Sequence, residues 1–459
     1  MRNPVPLFHV PWGGYPDFCL MGKQKLGHSR QNRPDIYPRS GGTVTLTEQS
    51  PPCFTRPMEN RNGRKQATPA SAGAVLRLIR SGKARTRGEL AAVTGLARST
   101  VSQRVDLLLA HDWIYEAGEG QSTGGRAPTV LAFNRNAGVV LAADLGATHA
   151  HVAVTDLDAT LLAEALHPID IGEGPDVVLP WLEDRFRHLL ARVGRSERDV
   201  RGIGMGVPGP VEFATGTPVS PPIMPGWDGI SVPERLRSWG VPVFVDNDVN
   251  VMALGEFQSH WQHEVGDLLF VKVATGIGCG MILGGEVHRG RVGAAGDIGH
   301  VRVAGHDDEV CRCGNVACLE AVAGGGAICK RLRQLGHEAS TSPDVVRLVR
   351  AGEPDAIRLV REAGRLLGEV LASAVNMLNP AVIVIGGELA QAHEQLLAGV
   401  REIVYRRSLP LATRNLRIVR ETEDLKVGVT GAALLAIESL VSQVAVDLTL
   451  ARAAEFAAR

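Results

Sequence analysis

Aromatic residues, cysteines and long apolar runs are all scarce in this 459-residue chain. Aromatic side chains make up 4% of it, and the seven cysteines are too few and too clustered for the disulfide framework of a secreted protein. No stretch of 18 uninterrupted apolar residues occurs, which argues against a transmembrane helix. The first residues contain no apolar core of signal-peptide length. We therefore expect a cytoplasmic protein with no membrane partner.

Net charge is zero overall, but the charges are unevenly distributed. Residues 1–130 contain 18 Lys and Arg against 9 Asp and Glu, whereas the whole chain contains 49 of each. A basic N-terminal third predicts contact with nucleic acid at that end only. A basic disordered tail would give the same count, so composition leaves both interpretations open.

The first 66 residues are rich in Pro, Gly, Asn, Ser and Arg and show no sustained apolar periodicity. This composition predicts a disordered extension over residues 1–66. All segments with a structural pattern follow Met58. A translation start at Met58 and a genuine disordered arm fit the sequence equally well.

The next segment combines helical periodicity with a turn, and it predicts a winged helix-turn-helix over residues 67–133. Thr86 and Glu89 form a capping box that begins one helix, Gly95 ends it, and another helix begins near Arg98. The predicted apolar seam consists of Leu90, Val93, Leu96, Val101, Val105 and Leu108. Any short three-helix unit shows such a seam, but the capping box, the glycine turn, a polar face and a following wing together favour a winged helix.

A polar face lies opposite this seam on the second helix. Its side chains are short or planar hydrogen-bonding groups, which are the types that read base edges in a major groove. The candidate DNA contacts on this helix are Arg98, Ser99, Thr100, Ser102 and Gln103. Two predicted strands follow around a glycine-rich loop, and Arg126 near its tip is placed for a phosphate or the minor groove. Double-stranded DNA is therefore an expected partner.

From residue 138 onward, apolar β-branched runs alternate with helical stretches, which predicts an α/β fold. The predicted strands lie in VVLAAD, HVAVTD, VRGIGMGVPG, VPVFVDND, DLLFVKVATG and AVIVIGGE. We expect a first lobe over 138–250, a second lobe over 251–425, and a C-terminal segment over 426–459 that returns to the first lobe.

Three glycine turns stand at predicted strand ends. The first contains Asp144, Gly146 and Thr148, the second contains Thr275, Gly276, Gly278 and Gly280 between two apolar strands, and the third contains Gly386 and Gly387. Glycine lets a backbone approach a phosphate, and a carboxylate such as Asp144 can hold hydrated Mg²⁺. Taken singly, such turns are weak signals, because Asp-Gly turns join strands in many proteins.

Asn247 and Asp248 follow a predicted strand and precede a helix. In a phosphotransferase, a carboxylate at the position of Asp248 would accept a proton from an attacking hydroxyl. The alternative is a helix N-cap, since Asp and Asn are both favoured there.

Three cysteines crowd into the segment CRCGNVACLE, eleven residues after a histidine. Four soft or borderline ligands, enough for a closed tetrahedral structural zinc site, are His300, Cys311, Cys313 and Cys318. Gly314 lets the backbone fold back so that the sulfur atoms converge. The alternative is a set of buried thiols beside an unrelated histidine.

These motifs together resemble the ROK family (repressors, open reading frames and sugar kinases), whose zinc motif has the form C-x-C-G-x-x-G-C-x-E. The resemblance runs from about Ser71 to the C-terminus. It implies a two-lobed α/β actin-like (ribonuclease H-like) sugar-kinase fold with a structural zinc loop. Kinases of the family lack the N-terminal winged helix and repressors have it. The resemblance therefore implies a sugar-responsive transcriptional repressor of carbohydrate uptake or catabolism genes.

Two other functions stay open at this point. One is an ATP-dependent hexose or N-acetylated amino sugar kinase with an added DNA-binding module, and the other is a zinc-stabilised scaffold that binds neither ATP nor DNA. The intact Asp248 leaves chemistry open, although we favour a regulator over an enzyme.

The resemblance also assigns residues and partners. Asp248 takes the position of the base, and the implied sugar contacts are Asn247, Asp248, Asp297, His300 and Glu320. The implied ATP and Mg²⁺ positions are Asp144, Gly146, Thr148, Thr275, Gly276, Gly386 and Gly387. The implied partners are an inverted-repeat operator, a small sugar or sugar-phosphate effector, and further copies of the chain in a homodimer or homotetramer.

The sequence departs from the kinase pattern at five positions. Ala147, Ala274 and Ala317 stand where glycine is usual, Asp297 stands for a sugar-binding glutamate, and Ile223 stands for an asparagine. The first two changes predict poor ATP binding, and the last two predict altered hexose contacts. We expect sugar binding with weak or absent phosphorylation.

Overall fold

The structure is a computed structural model that describes residues 71–119, 127–392, 394–422 and 426–457. The predicted N-terminal extension and Arg126 lie outside these ranges. The described chain begins with three helices, α1 (Ala72–Arg80), α2 (Arg87–Thr94) and α3 (Arg98–Ala110). An antiparallel pair of strands follows, β1 (Ile114–Glu119) and β2 (Thr129–Phe133).

The predicted helix boundaries in this N-terminal unit are confirmed. The Thr86 hydroxyl accepts from the Glu89 amide at 3.2 Å, and the Glu89 carboxylate accepts from the Thr86 amide at 3.2 Å. Gly95 ends α2 in the left-handed region at φ 70°, a conformation that glycine adopts without steric cost. The prediction that Val93 lies in the apolar seam is wrong, since its side chain is 57% exposed. Because α2 ends one residue later, its last turn extends beyond the unit's core.

The remaining strands build two larger sheets and one short pair. They are β3 (Val139–Leu145), β4 (His149–Thr155), β5 (Leu161–Pro168), β6 (Val200–Val207), β7 (Val211–Glu212), β8 (Thr217–Pro218), β9 (Val243–Asn247), β10 (Leu268–Val273), β11 (Ile277–Leu283), β12 (Glu286–Val287), β13 (Val382–Gly386) and β14 (Arg417–Arg420). All six strands predicted from the apolar runs are confirmed.

The remaining helices pack around these sheets, except that α14 packs on α1. They are α4 (Pro175–Arg192), α5 (Val232–Arg235), α6 (Asp248–Glu256), α7 (Leu319–Ala323), α8 (Gly325–Gln334), α9 (Ser342–Arg350), α10 (Pro354–Leu378), α11 (Glu394–Arg407), α12 (Pro410–Thr413), α13 (Val427–Leu440) and α14 (Gln443–Ala457).

The two larger sheets have the same topology. Their strand orders are β5-β4-β3-β6-β9 and β12-β11-β10-β13-β14. In each, the central strand pairs antiparallel with the strand that follows it and parallel with a later strand. The central strands are β3 and β10, and both are buried on two faces.

Helix α6 lies between the two sheets. It packs against α13 on the side of the first sheet and against β10 and β11 on the side of the second. On β10, Leu269 and Val271 face the core formed with α10 and α11, whereas Leu268 and Phe270 face α6. The residue period of two along a strand therefore sends every second side chain of β10 into the layer between the sheets.

One predicted turn is shorter in the structure than expected. Gly278 and Gly280 were predicted to lie in a turn, but they belong to β11, and the turn spans only residues 274–276. A Cβ on Gly280 would lie 2.5 Å from the Cβ of Ala253. These glycines let α6 pack closely on β11, which is a packing role rather than a turn role.

The two C-terminal helices connect distant parts of the chain. Helix α13 packs on β3, β6 and α6, while α14 packs on α1. No single described helix is long and apolar enough to cross a membrane, and α13 and α14 reach that length and composition only as a pair bent by 58°.

Candidate functional site

A cavity of about 850 Å³ opens where the strand ends of both sheets meet the beginning of α6. All five predicted sugar contacts line it: Asn247, Asp248, Asp297, His300 and Glu320. Of the predicted nucleotide residues, the lining includes Asp144, Thr148, Thr275, Gly276 and Gly387. Gly146 and Gly386 are not among the lining residues. The fold thus brings together side chains that are far apart in sequence.

Asn247 and Asp248 have different roles at the start of α6. Asn247 is the N-cap, since its side-chain oxygen accepts from the Val249 amide at 3.0 Å and its amide donates to the Gly209 carbonyl at 2.9 Å. Asp248 is the first helical residue and its side chain is 6% exposed. The N-cap alternative therefore holds for Asn247, and the Asp248 carboxylate is left for another partner.

That partner is Lys272 on β10, whose ammonium lies 2.6 Å from the Asp248 carboxylate. Although burial opposes it, the carboxylates of Asp248 and Asp144 raise the pKa of Lys272 above its usual value. Burial raises the pKa of Asp144 to about 6, against the opposing effect of Lys272. The floor of the cavity is therefore a cluster of buried charges.

The cysteine cluster lies at the edge of the same cavity. The four candidate ligand atoms of His300, Cys311, Cys313 and Cys318 lie within 4.8 Å of one another. The Cys313 and Cys318 sulfur atoms are 3.7 Å apart, and Cys311 Sγ is 3.6 Å from His300 Nδ1. The Asn315 backbone amide lowers the pKa of the Cys313 thiol to about 7. This arrangement can hold a metal ion.

Two isolated β-bridges hold the backbone of the cysteine loop. Isolated bridges pair Arg302 with Cys318 and Val310 with Val316. Gly314 turns in the left-handed region at φ 89°, and Ala317 does so at φ 58° although it carries a Cβ. Ala317 is the position where the sequence pattern led us to expect glycine, so the backbone keeps the glycine conformation without the glycine.

Glu320 connects this loop to the cavity. It lies in the first turn of α7, two residues after the last cysteine, and its carboxylate is 3.3 Å from Cys311 Sγ and 4.0 Å from His300 Nδ1. The other His300 nitrogen is 3.8 Å from the Asp297 carboxylate. The histidine therefore stands between the cysteine cluster and the polar wall of the cavity.

At each of the three glycine turns, a side chain of this protein lies against a glycine. A Cβ on Gly146 would lie 2.5 Å from the imidazole of His149, and a Cβ on Gly276 would lie 2.7 Å from the Glu320 carboxylate. The Gly387 amide donates to the Glu421 carboxylate at 3.1 Å. Burial raises the pKa of Glu421 to about 7.

Sequence reasoning missed four residues of this site. His149, Lys272 and Glu421 surround the cavity floor and its turns, and Arg289 pairs with the buried Asp246 at 2.6 Å beside Asn247. One signal for Lys272 was available, namely a charged residue inside the apolar run LLFVKVA. Such a residue in a central strand is buried and needs a charged partner.

The predicted DNA-contact face of α3 is open to solvent in part. Arg98, Ser99 and Gln103 are exposed, and Thr100 and Ser102 are half-buried. The buried residues of α3, on its other face, are Val101, Val105 and Leu108.

Comparison with known proteins gives consistent matches. The ROK family pattern matches residues 140–439. A xylose repressor from Caldicellulosiruptor bescii is 29% identical over 383 residues, which cover 80% of this chain and 95% of the repressor. A solved structure of a ROK family transcriptional regulator, a homologue of the E. coli MLC protein, is similar with a TM-score of 0.70 and 26% identity over 83% of this chain and 98% of that one. A ROK hexokinase from Thermus thermophilus is similar with a TM-score of 0.56 and 32% identity over 66% of this chain and 99% of the hexokinase.

Proposed function

The chain belongs to the ROK family, and we propose that it is a DNA-binding transcriptional regulator that responds to a sugar. Its two sheets form the actin-like sugar-kinase fold of that family. The observation that carries the proposal is the extent of the matches. The transcriptional regulator matches 83% of this chain, whereas the hexokinase matches 66%. A regulator therefore accounts for a segment that a kinase leaves unmatched, and we assign that segment to the N-terminal unit.

This N-terminal unit is a winged helix-turn-helix in our proposal. Helix α3 is the recognition helix, with Arg98, Ser99 and Gln103 exposed to read bases, and β1 and β2 form the wing. Arg126 would contact the DNA backbone from the wing. One such unit buries too little surface for specific operator binding, so we infer a dimer or tetramer on an inverted repeat.

The metal in our proposal is one structural zinc ion on His300, Cys311, Cys313 and Cys318. A tetrahedron with Zn–S bonds of about 2.3 Å has edges of about 3.7 Å. The Cys313–Cys318 distance of 3.7 Å and the Cys311–His300 distance of 3.6 Å agree with such edges. Four protein ligands leave no open position, so the ion would fold the loop and orient Glu320 and His300.

The effector in our proposal is a small sugar bound in the cavity between the lobes. Its hydroxyl groups would meet Asp248, Asp297, His300 and Glu320, with the remaining amide hydrogen of Asn247 beside them. Binding would change the angle between the lobes and release the operator. The protein would act in the cytoplasm as a repressor of carbohydrate uptake or catabolism genes.

The alternative of an active sugar kinase has one observation in its favour, the intact Asp248. Against it, the Asp248 carboxylate is held by Lys272 at 2.6 Å. In addition, the Gly387 amide donates to the Glu421 carboxylate and the His149 imidazole lies against Gly146, at two turns that a nucleotide phosphate would have to approach. We therefore expect weak or absent phosphorylation, which a coupled ADP-release assay over hexoses and N-acetylated amino sugars would measure.

Selection of DNA from a random pool tests the proposed function. The full-length protein is expected to enrich one inverted repeat whose half-sites are spaced by whole helical turns. An R98A/Q103A double variant should lose that preference. If the selection recovers no common sequence and the protein turns over a sugar at ordinary enzyme rates, the protein is a sugar kinase and the regulator assignment is wrong.

A further inference from the structure

Lys272 stands at the centre of the layer between the two sheets. It shares the face of β10 that carries Leu268 and Phe270, and this face packs on α6. Its ammonium therefore reaches the first residue of α6, where it lies 2.6 Å from the Asp248 carboxylate. The Lys272 side chain is 20% exposed and that of Asp248 is 6% exposed. Both charges are thus largely removed from bulk water.

Asp144 approaches the same point from the other sheet. It lies near the end of β3 as Lys272 lies near the end of β10, and these are the central strands of the two sheets. The Asp144 carboxylate lies between two glycines, since a Cβ on Gly206 or Gly428 would lie 3.3 or 1.8 Å from it. Asp144, Asp248 and Lys272 all line the same cavity. One cation and two carboxylates from three elements therefore line one cavity.

Carboxylates such as these two are the oxygen ligands that Mg²⁺ prefers. The residues around them do not fit a magnesium–nucleotide complex. The Lys272 ammonium already neutralises Asp248, the His149 imidazole covers Gly146, and Glu421 takes the Gly387 amide. A phosphate at the last position would meet a carboxylate instead of a free N–H group.

We propose that Lys272 is the resident cation of this cleft. It takes the place that a divalent metal ion would need between Asp144 and Asp248, so the effector binds without metal and without nucleotide. The identity of the bound ligand as a sugar rests on the proposed function, whereas the exclusion of a divalent cation does not.

The chemistry of the lysine suits this role. An ammonium is a compact charge on a flexible stem, and it can offer three donors to two carboxylates. Its removal would leave two neighbouring buried carboxylates without a counter-ion, which is unfavourable unless a cation or a proton replaces it. The variant is therefore expected to acquire a cation from solution.

Binding of Mn²⁺ to the full-length protein tests this proposal, with electron paramagnetic resonance to count bound ions. Wild-type protein should bind no Mn²⁺ in the cleft at millimolar concentration. K272M should gain one Mn²⁺ with at least about tenfold higher affinity, because the two carboxylates become available. K330M is the matched control, since Lys330 lines the same cavity but pairs with Glu309 at 2.9 Å and is exposed. K330M should behave like the wild type.

A D144N/K272M double variant locates the gained ion, because it removes one of the two ligands and should lose the gained Mn²⁺. Equal Mn²⁺ binding by wild type and K272M would overturn the proposal. If K272M does not fold, as judged by circular dichroism, the wild-type protein alone still tests the proposal. In that case, xylose, glucose and N-acetylglucosamine are titrated into the wild-type protein. The solution contains no nucleotide, and it contains a chelator too weak to remove the cysteine-bound ion.

In the wild-type titration, the expected result is a thermal shift by at least one sugar that neither Mg²⁺ nor ATP changes. A shift that requires Mg²⁺ and ATP would overturn the proposal while leaving the regulator function intact. Failure to bind any DNA would overturn the proposed function, and the Mn²⁺ result would still stand on its own.

Discussion

Asp248 is the side chain to which the proposed function assigns both a sugar contact and the position of a base. Its carboxylate pairs with Lys272, and the residue lines the cavity at the start of α6. We predict that D248N keeps operator affinity and raises the sugar concentration for half release by about 10–100-fold, because a charge-assisted hydrogen bond is lost. Fluorescence anisotropy with labelled operator measures both quantities. D158N, an exposed aspartate in a turn far from the cavity, is the control.

An unchanged sugar response in D248N would contradict this assignment. Simultaneous loss of operator binding would show that the variant disturbs the whole protein instead.

Glu421 gives the cleft a pH dependence of defined sign. Burial raises its pKa from 4.5 to about 7, so the folded protein binds more protons than the unfolded chain between these values. The free energy of unfolding therefore falls as pH rises from about 4.5 to about 7. E421Q keeps the acceptor for the Gly387 amide but carries no charge. It should be more stable than wild type above pH 7 by about 1–3 kcal/mol and equal to it near pH 4.

Thermal unfolding of both proteins across this pH range measures the effect. A constant difference at every pH would indicate a packing effect and not a titration. Asp144, with a pKa raised to about 6 by burial, contributes a dependence of the same sign in both proteins.

Residue types that carry chemistry were predictable from the sequence, but their mutual neutralisation was not. The pattern identified Asp248, Glu320 and the four candidate metal ligands, and the fold brings all of them to one cavity edge. Lys272 and Glu421 escaped because their partners lie on other elements, and spacing along the chain says nothing about such pairs. The exposure of Val93 escaped because periodicity alone does not tell where a core ends.

Helix α3 is the element on which operator specificity depends in this account. R98A should weaken binding to the selected operator by about 1–3 kcal/mol and relax base preference at one position. Electrophoretic mobility shift against a set of single-base variants of the operator measures this change. R358A, which removes an equal charge from α10, outside the N-terminal unit, should leave both properties unchanged. Uniform weakening by R98A across all sequences would reassign Arg98 to a phosphate contact.

The cysteine loop is the element on which the shape of the cleft wall depends. We predict that C311S loses the proposed zinc ion and weakens sugar binding, since the ligands would organise the loop that presents Glu320. C329S is the matched control, because Cys329 is equally buried in α8 but lies outside the cluster. Elemental analysis and the thermal shift by sugar measure the two effects. Purified wild-type protein without zinc, prepared under conditions that preserve metal, would contradict the assignment.

Element boundaries followed the sequence closely where local chemistry sets them. The capping box at Thr86 and the glycine at position 95 fix α2 in the structure as the pattern predicted. Gly278 and Gly280 were misplaced because a glycine demanded by helix packing looks the same in sequence as a glycine demanded by a turn. The strands β5 and β14 were missed, since their runs are short or mixed with charged residues.

At the scale of the whole molecule, the C-terminal helices join the cleft to the N-terminal unit. Gly428 in α13 lies against the Asp144 carboxylate at the cavity floor. At the other end of the pair, the Asp447 carboxylate on α14 accepts from the Gly73 amide at 2.9 Å, and Arg80 on α1 pairs with Glu438 at 2.9 Å. Val446 and Leu450 complete the apolar core of the N-terminal unit. A change in the cleft therefore has a continuous packed route to α1.

We predict that G73V uncouples the two functions of the molecule. A Cβ at Gly73 would lie 2.3 Å from the Gln443 carbonyl oxygen, so α1 and α14 have to separate. Sugar should still raise the melting temperature, but it should no longer release DNA. G88A is the control, because Gly88 lies in α2 of the same unit and the nearest atom to an added Cβ is 4.0 Å away. Normal release by G73V would show that the signal takes another route.

The most direct test of the central claim is release of a selected operator by sugar, measured by fluorescence anisotropy with the full-length protein and no nucleotide. A sugar that binds the DNA-incompetent state more tightly by about 1–3 kcal/mol should lower operator affinity by about 5–150-fold. We predict such a decrease for at least one sugar in a panel of pentoses, hexoses and N-acetylated amino sugars. An operator affinity that no sugar changes, although thermal shift shows that a sugar binds, would contradict it.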